Sequence, residues 1–324
     1  MSRGLTVVMI VPTGIGATIG GHAGDANVAA RLLGGVVDTL IVHPNVVNAS
    51  DINEMPPNAL YVEGSTLDRL LLGKIGLKRV KGNRILVACN EETPDTVNTI
   101  SAAQMTLGAD VHIVRLATPL VMTATVDAVH ASGVVRGLEE LVEQLREFQF
   151  DALAIHTPID LPKGTAESYF DEGGINPWGG VEAIVSRYCS EALTIPVAHA
   201  PFERPEDKIS PRIVDIRIAA EMLSESHLFS VIKGLHKSPR IYDIADPKAD
   251  ITVEDIDVLV SPMCWGTPHV ACEEYNISII MVESNRTSSS HNAAGQSTFY
   301  ASNYYEAAGM LAAIDQGISL DTPL

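Results

Sequence analysis

Basic residues are scarce: 22 Lys and Arg stand against 40 Asp and Glu, a formal net charge of -18 at pH 7. That balance argues against a nucleic-acid ligand, because phosphate binding relies on clustered Lys and Arg that release counterions. It argues equally against docking on an anionic membrane. Cysteine is rare as well, with four in 324 residues and no CxxC pair among them. Such usage reads as reduced thiols of a cytoplasmic protein and not as a disulfide framework. No apolar run is long. The run Leu5–Val11 falls far short of a membrane span and no basic leader precedes it, so neither a membrane helix nor secretion is expected. Internal repeats, heptads and low-complexity stretches are missing, as are the GxGxxG dinucleotide fingerprint and the GxSxG nucleophile elbow.

Against these absences, 46% hydrophobic and 19% charged residues are ordinary globular values. Continuous apolar runs recur at Leu5–Val11, Thr39–His43, Ala59–Val62, Ile85–Cys89, Val111–Leu116, Ala152–His156, Pro196–His199, Asp257–Ser261 and Ile277–Glu283. Runs of this kind suit strands covered on both faces. Helical periods separate them, opened by Thr93-Pro94, by Ser210-Pro211 (with Ile213, Ile216, Ala220 and Leu223 on one face) and by a capping-box pattern over Ser65–Asp68. Further helices are expected over Gly137–Phe148, Gly179–Leu193, Pro268–Tyr275 and Tyr304–Gln316. Strand–helix alternation implies an α/β protein with parallel-rich sheets flanked by helices. Two pseudo-symmetric halves are expected, residues 1–150 with a glycine-rich loop and residues 151–324 with candidate lids at Thr157–Trp178 and Pro201–Ser210. The helices Val181–Leu193 and Tyr304–Ile314 look apolar on most sides, which points to a homo-oligomer.

The glycine-rich segment Pro12–Asp25 directly follows the first strand. Its Gly14, Gly16, Gly20 spacing places the third glycine one residue late for a dinucleotide, and His43 stands where a ribose-binding carboxylate would close the second strand. Thr13, Gly14 and Gly16 are therefore expected to hold a phosphate or carboxylate. Three strands end in histidine, at His43, His156 and His199. Ligands of open α/β sheets bind outside these strand ends, so the three are candidate acids and bases or ligands of a divalent metal such as zinc. Asn45, Asn48 and Glu63 stand nearby as orienting groups. Cys89 with Asn90, and Cys264 with Gly266 and Thr267, place thiols before helix starts, where a thiolate is favoured. Cys189 and Cys272 fall inside helices and are assigned to packing. A last cluster holds Glu283, Asn285, Arg286 and the run Ser288–Ser290 with His291.

Taken together, Ile10-Val-Pro-Thr-Gly-Ile-Gly16, His43-Pro-Asn45, Ala198-His-Ala-Pro201 and Cys264-x-Gly-x-Pro268 followed by Val282-Glu-x-Asn285 resemble the domain-of-unknown-function 3326 family of bacterial and plant proteins. The resemblance covers most of the chain and brings no activity with it. Thr13-Gly-Ile-Gly16, Ala88-Cys-Asn90 and Cys264…Thr267…His269 are also similar, in that order, to the aspartate/glutamate racemase superfamily, where two thiols exchange a proton at carbon without a cofactor. Pro12 and the displaced His269 depart from that pattern. This second resemblance implies Cys89 and Cys264 as proton carriers, with the Thr13–Gly16 loop and Asn90 holding a substrate carboxylate. The expected function is an enzyme of small carboxylate- or amide-bearing metabolites doing acid–base chemistry at carbon, of isomerase, racemase or lyase type, with catalytic Cys89, Cys264, His43 and His199 and no cofactor. Two alternatives stand beside it: an amide hydrolase with a metal at His43, His156 and His199, and a non-catalytic metabolite-binding protein.

Overall fold

The computed structural model describes residues 4–20, 25–204, 209–288 and 297–322. The chain begins with β1 (Thr6–Met9), α1 (Asn27–Gly34), β2 (Thr39–Val42), β3 (Ala59–Tyr61) and α2 (Gly64–Leu71). It crosses through β4 (Ile75–Lys78) into β5 (Arg84–Cys89), α3 (Pro94–Leu107), β6 (Asp110–Arg115), the hairpin β7 (Val121–Val126) and β8 (Ala131–Arg136), and α4 (Leu138–Leu145). Next come β9 (Ala152–His156), β10 (Ile159–Asp160), α5 (Thr165–Glu172), α6 (Gly179–Leu193), β11 (Val197–His199), α7 (Ala219–Leu223) and α8 (His227–His236). The strand β12 (Arg240–Asp243) leads back to β13 (Val258–Met263), α9 (Thr267–Glu274), β14 (Ser278–Arg286), β15 (Thr298–Ala301) and α10 (Tyr304–Asp315).

Two parallel sheets result. The larger runs β15-β14-β13-β1-β2-β3, and the smaller β11-β9-β5-β6, with parallel pairing throughout both. The central strands are buried because helices cover both faces, while the edge strands β3, β6 and β15 are partly exposed. On the larger sheet α1 meets α10 on one side and α2 meets α9 on the other. From β1 the chain moves outward to β2 and β3, and from β13 it moves the opposite way to β14 and β15, so the order reverses between β1 and β13. Such a reversal leaves a crevice at the strands' carboxyl ends.

Sheet membership does not follow the expected division at residue 150. The larger sheet takes its first three strands from the start of the chain and its last three from the end, and the smaller sheet lies between them as an insertion. The chain leaves along β4 and returns along β12, which pair antiparallel. Hydrophobic side chains of both sheets and of α8 merge into one core, so the two units are joined tightly.

Several elements follow the sequence closely. Thr93 caps α3 through its side chain and Gly108 ends it in the left-handed region at φ 64°. Others do not. The cap of α2 is Glu63, not Ser65, since one carboxylate there accepts both amide and hydroxyl protons of Ser65 and Thr66. Only Ala219–Leu223 of the helix expected after Ser210 is helical, and Ile213 and Ile216 are 102% and 90% exposed. The Asp215 carboxylate accepts the Arg217 N–H at 2.8 Å, a local turn that competes with helix continuation. In α6 and α10, Val181, Val185, Tyr304, Ala308 and Leu311 are buried inside the chain, whereas Tyr188 and Tyr305 stay exposed.

Candidate functional site

A cavity of about 460 Å³ opens at the carboxyl end of the larger sheet, where its order reverses, and the inserted unit closes its other side. The loops after β1, β2 and β13 contribute Thr13, His43, Asn45, Asn48, Cys264 and Gly266, the start of α2 contributes Glu63 and Asp68, and α6 with β11 brings Glu182 and His199. Eight residues singled out from the sequence therefore meet in one place, between the two units.

What each can do depends on what already holds it. The His43 Nε2 accepts the Val11 N–H at 2.8 Å, while the Asn45 amide donates to the Val11 carbonyl at 2.7 Å. One atom of each side chain is thus spent in fixing the exit of β1. Burial lowers the His43 pKa to about 4, so the ring is neutral, with its remaining proton on Nδ1. Asn285, expected near substrate, accepts from the Ile19 N–H at 2.9 Å and donates to the Ile19 carbonyl and the Tyr304 hydroxyl. It ties the glycine-rich loop to the sheet. Gly14 and Gly16 adopt φ of 74° and 62°, and the Gly14 carbonyl accepts from Ala131 N–H at 2.8 Å, so the loop docks on the inserted hairpin. The N–H groups of Thr13, Gly14, Ile15 and Gly16 meet no acceptor among the described residues. Of these four residues, Thr13 and Ile15 line the cavity. Asn48, half-buried, is likewise without a hydrogen bond among the described residues.

One paired arrangement on the cavity wall comes from a residue that the sequence did not single out. Glu182 lies in the first turn of α6, and its Oε1 is 3.0 Å from Nδ1 of His199. The His199 side chain is fully covered, whereas the Glu182 side chain is 26% exposed. The carboxylate therefore faces the cavity and the imidazole backs it. Behind the ring, the Thr157 hydroxyl is 3.0 Å from His199 Nε2 and 3.3 Å from the Met122 sulfur. One hydroxyl proton serves either acceptor, so the ring can be met by a donor or by an acceptor at Nε2. Asp68 lines the same cavity, and its pKa is raised to about 6, first by burial and then by Glu63, against the pull of Arg187. Glu182 carries no motif; its only signal is proximity in sequence to Gly179 and Gly180, which α6 needs to approach Thr13 and Ala131 closely.

The thiols do not meet. Cys264 lines this cavity, while Cys89 is completely buried elsewhere, its Sγ 3.7 Å from the Val114 carbonyl. Burial pushes the Cys264 thiol up to about 12 and the Cys89 thiol up to about 11, the reverse of the activation expected of helix starts. Asn90 is spent in two hydrogen bonds to the Leu120 backbone. His269 is fixed neutral between Gly266 N–H and the Ser261 hydroxyl, with its pKa lowered to about 4 by burial. Thr267 and Glu283 are exposed and do not line the cavity. The proposed metal trio is divided, because His156 opens into a different cavity. Among the described residues no group of three His, Cys, Asp or Glu is placed to hold a metal ion. Ser290 and His291 lie outside the described residues.

The model of a family described as a protein of unknown function, DUF3326, matches residues 6–323. The chain is 33% identical over 340 residues to an uncharacterized lipoprotein of Synechococcus sp., covering 98% of this chain and 93% of that protein. No solved structure matches. A relative named as a lipoprotein overturns the expectation of a cytoplasmic protein. Neither description supports the isomerase, lyase or hydrolase labels, and neither points to the racemase superfamily. No helix among the described residues is long and apolar enough to cross a membrane.

Proposed function

This chain belongs to the DUF3326 family of proteins of unknown function, and from its site we propose that it is an enzyme of small carboxylate- or amide-bearing metabolites, working by acid–base chemistry at carbon. The observation carrying the proposal is the Glu182–His199 pair, 3.0 Å apart, with its carboxylate open to a cavity at the point where the sheet order reverses. The loop donors at Thr13 to Gly16 would hold the substrate carboxylate. Glu182 would then take a proton from the neighbouring carbon, while His199 holds the carboxylate in place and Thr157 adjusts to the charge on the ring. The reading uses no thiol and needs no cofactor. Self-assembly remains part of the proposal and is tested by a light-scattering mass.

Deuterium wash-in provides the test. Small carboxylic acids and amides that raise the melting temperature would be incubated with the protein in D2O and followed by NMR at carbon-bound protons. Wild-type protein is expected to exchange at least one such proton. Glu182→Gln should lose that exchange by about a hundredfold or more while keeping the ligand's thermal shift. Exchange untouched by Glu182→Gln would refute the assignment.

A second reading, a non-catalytic metabolite-binding protein, has its own support. His43, His269, Asn45 and Glu63 are already committed to the backbone around the cavity, which suits a rigid receptor. Thermal stabilisation without any exchange would favour it.

A further inference from the structure

The inserted sheet has a cavity of its own, and nothing in the proposal above uses it. It measures about 670 Å³ and lies at the carboxyl ends of β5 and β9. Four carboxylates line it, those of Glu91, Asp95, Glu203 and Glu225. The one guanidinium on the wall, Arg204, is held at 3.0 Å by Asp160. An acidic rim alone would signify little, but His156 adds a built feature. This residue is only 7% exposed, and its Nδ1 donates to the Ala200 carbonyl at 3.0 Å. Its second nitrogen, Nε2, therefore carries a lone pair, and no donor among the described residues reaches it. Because burial lowers the His156 pKa to about 4, that lone pair persists at neutral pH. Phe202 stands edge-on to the imidazole at 5.4 Å, and Pro94, Pro158 and Leu228 supply apolar wall.

The surface thus offers acceptors in several directions, one of them buried, around a partly apolar space. Anions are repelled by it. A single metal ion is poorly served, since among the described residues no three donors converge. We propose that this second cavity binds a small aliphatic amine carrying at least two ammonium groups, one donating to His156 Nε2 and another facing the carboxylates. A volume of this order is ordinary for small-ligand sites.

Calorimetry on the full chain tests this with 1,4-diaminobutane, 1-aminobutane and butanedioate as probes. The diamine should bind, more weakly as salt is raised, with the monoamine weaker and butanedioate silent. Asp95→Asn and Glu203→Gln, both at exposed positions, should each weaken the diamine roughly two- to fivefold. His156→Phe, which keeps a ring but removes the acceptor, should weaken it further. If that variant fails to fold, the two carboxylate variants decide. Failure of the diamine to bind at millimolar concentration would overturn the proposal. So would affinity indifferent to Asp95→Asn and Glu203→Gln, binding of butanedioate, or loss of diamine binding on Glu182→Gln alone, which would place the amine in the other cavity.

Discussion

His43 shows how a side chain in the right place can be unavailable for chemistry. Its Nε2 is the partner of the buried Val11 N–H, so its removal leaves an orphaned donor at the exit of β1. His43→Ala should cost about 1–3 kcal/mol from that donor alone, with more from the lost packing, as read by urea unfolding. His43→Gln, which can still accept, should recover part of that loss. An unchanged midpoint for His43→Ala would show that the bond contributes nothing. The cysteines lead to a complementary expectation. With their pKa values pushed up to about 12 and 11 by burial, Cys264 and Cys89 hold almost no thiolate at neutral pH. Mass spectrometry should find both resistant to iodoacetamide at pH 7.5 in the folded protein. Cys264→Ser should preserve ligand-induced thermal shifts; rapid alkylation of Cys264 would restore the thiol reading.

Elements position these groups through close backbone approaches. The start of α6 passes so near the glycine-rich loop and the β8 strand that a Cβ on Gly180 would land on the Ala131 carbonyl, and one on Gly179 on the Thr13 hydroxyl. Two effects oppose each other in Gly180→Ala. Helix propensity favours alanine by about 1 kcal/mol, whereas overpacking against backbone costs about 1–3 kcal/mol. Backbone cannot swing aside as a side chain can, so the clash should win and the variant should melt lower. Because α6 carries Glu182, ligand-induced stabilisation should weaken as well. A variant as stable as wild type would mean that α6 shifts freely over the loop. The exposed Ile213 and Ile216 mark the contrary case, an element that local turn chemistry kept from forming.

At the scale of the whole molecule, buried titrating groups oppose one another. His43, His156 and His269 are lowered to about 4 by burial. Their contribution to stability is present above pH 6.5 and is lost as pH falls towards 4. Asp25 and Asp68, raised to about 6, and Glu221, raised to about 7, are shifted chiefly by burial too. Their contribution is present below pH 4 and is lost as pH rises through 6 to 7. Between about pH 4.5 and 6 the two sets nearly cancel, so unfolding free energy should be almost flat there. His43→Gln removes one histidine from this balance. The folded state then binds about one proton more than the unfolded state, and stability should rise on acidification by about 1.4 kcal/mol per pH unit relative to wild type. Parallel pH profiles for the two proteins would contradict the buried, neutral state of His43.

Local signals were enough for the class of fold, most of the buried strands, the caps at Thr93 and Gly108, and the strand ends at His43, His156 and His199, because continuous apolar runs, caps and left-handed turns act over a few residues. The strands of the smaller outlying sheets (β4, β7, β8, β10 and β12) and the edge strand β15 escaped notice, since most of them are short or carry exposed residues that break the apolar run. Strand order lies beyond such signals. Only tertiary structure joined the two ends of the chain into one sheet, inserted a second sheet between them, and set the crevice between β1 and β13, since parallel pairing links residues far apart in sequence. It also divided the candidates. His43 and His199 reach one cavity although their strands belong to different sheets. His156 reaches another, because its neighbour Ile155 is the residue paired with His199 and successive side chains point to opposite faces, and Cys89 is completely buried. Tertiary structure also left the Glu182 carboxylate open to the cavity, while burial keeps the thiols protonated.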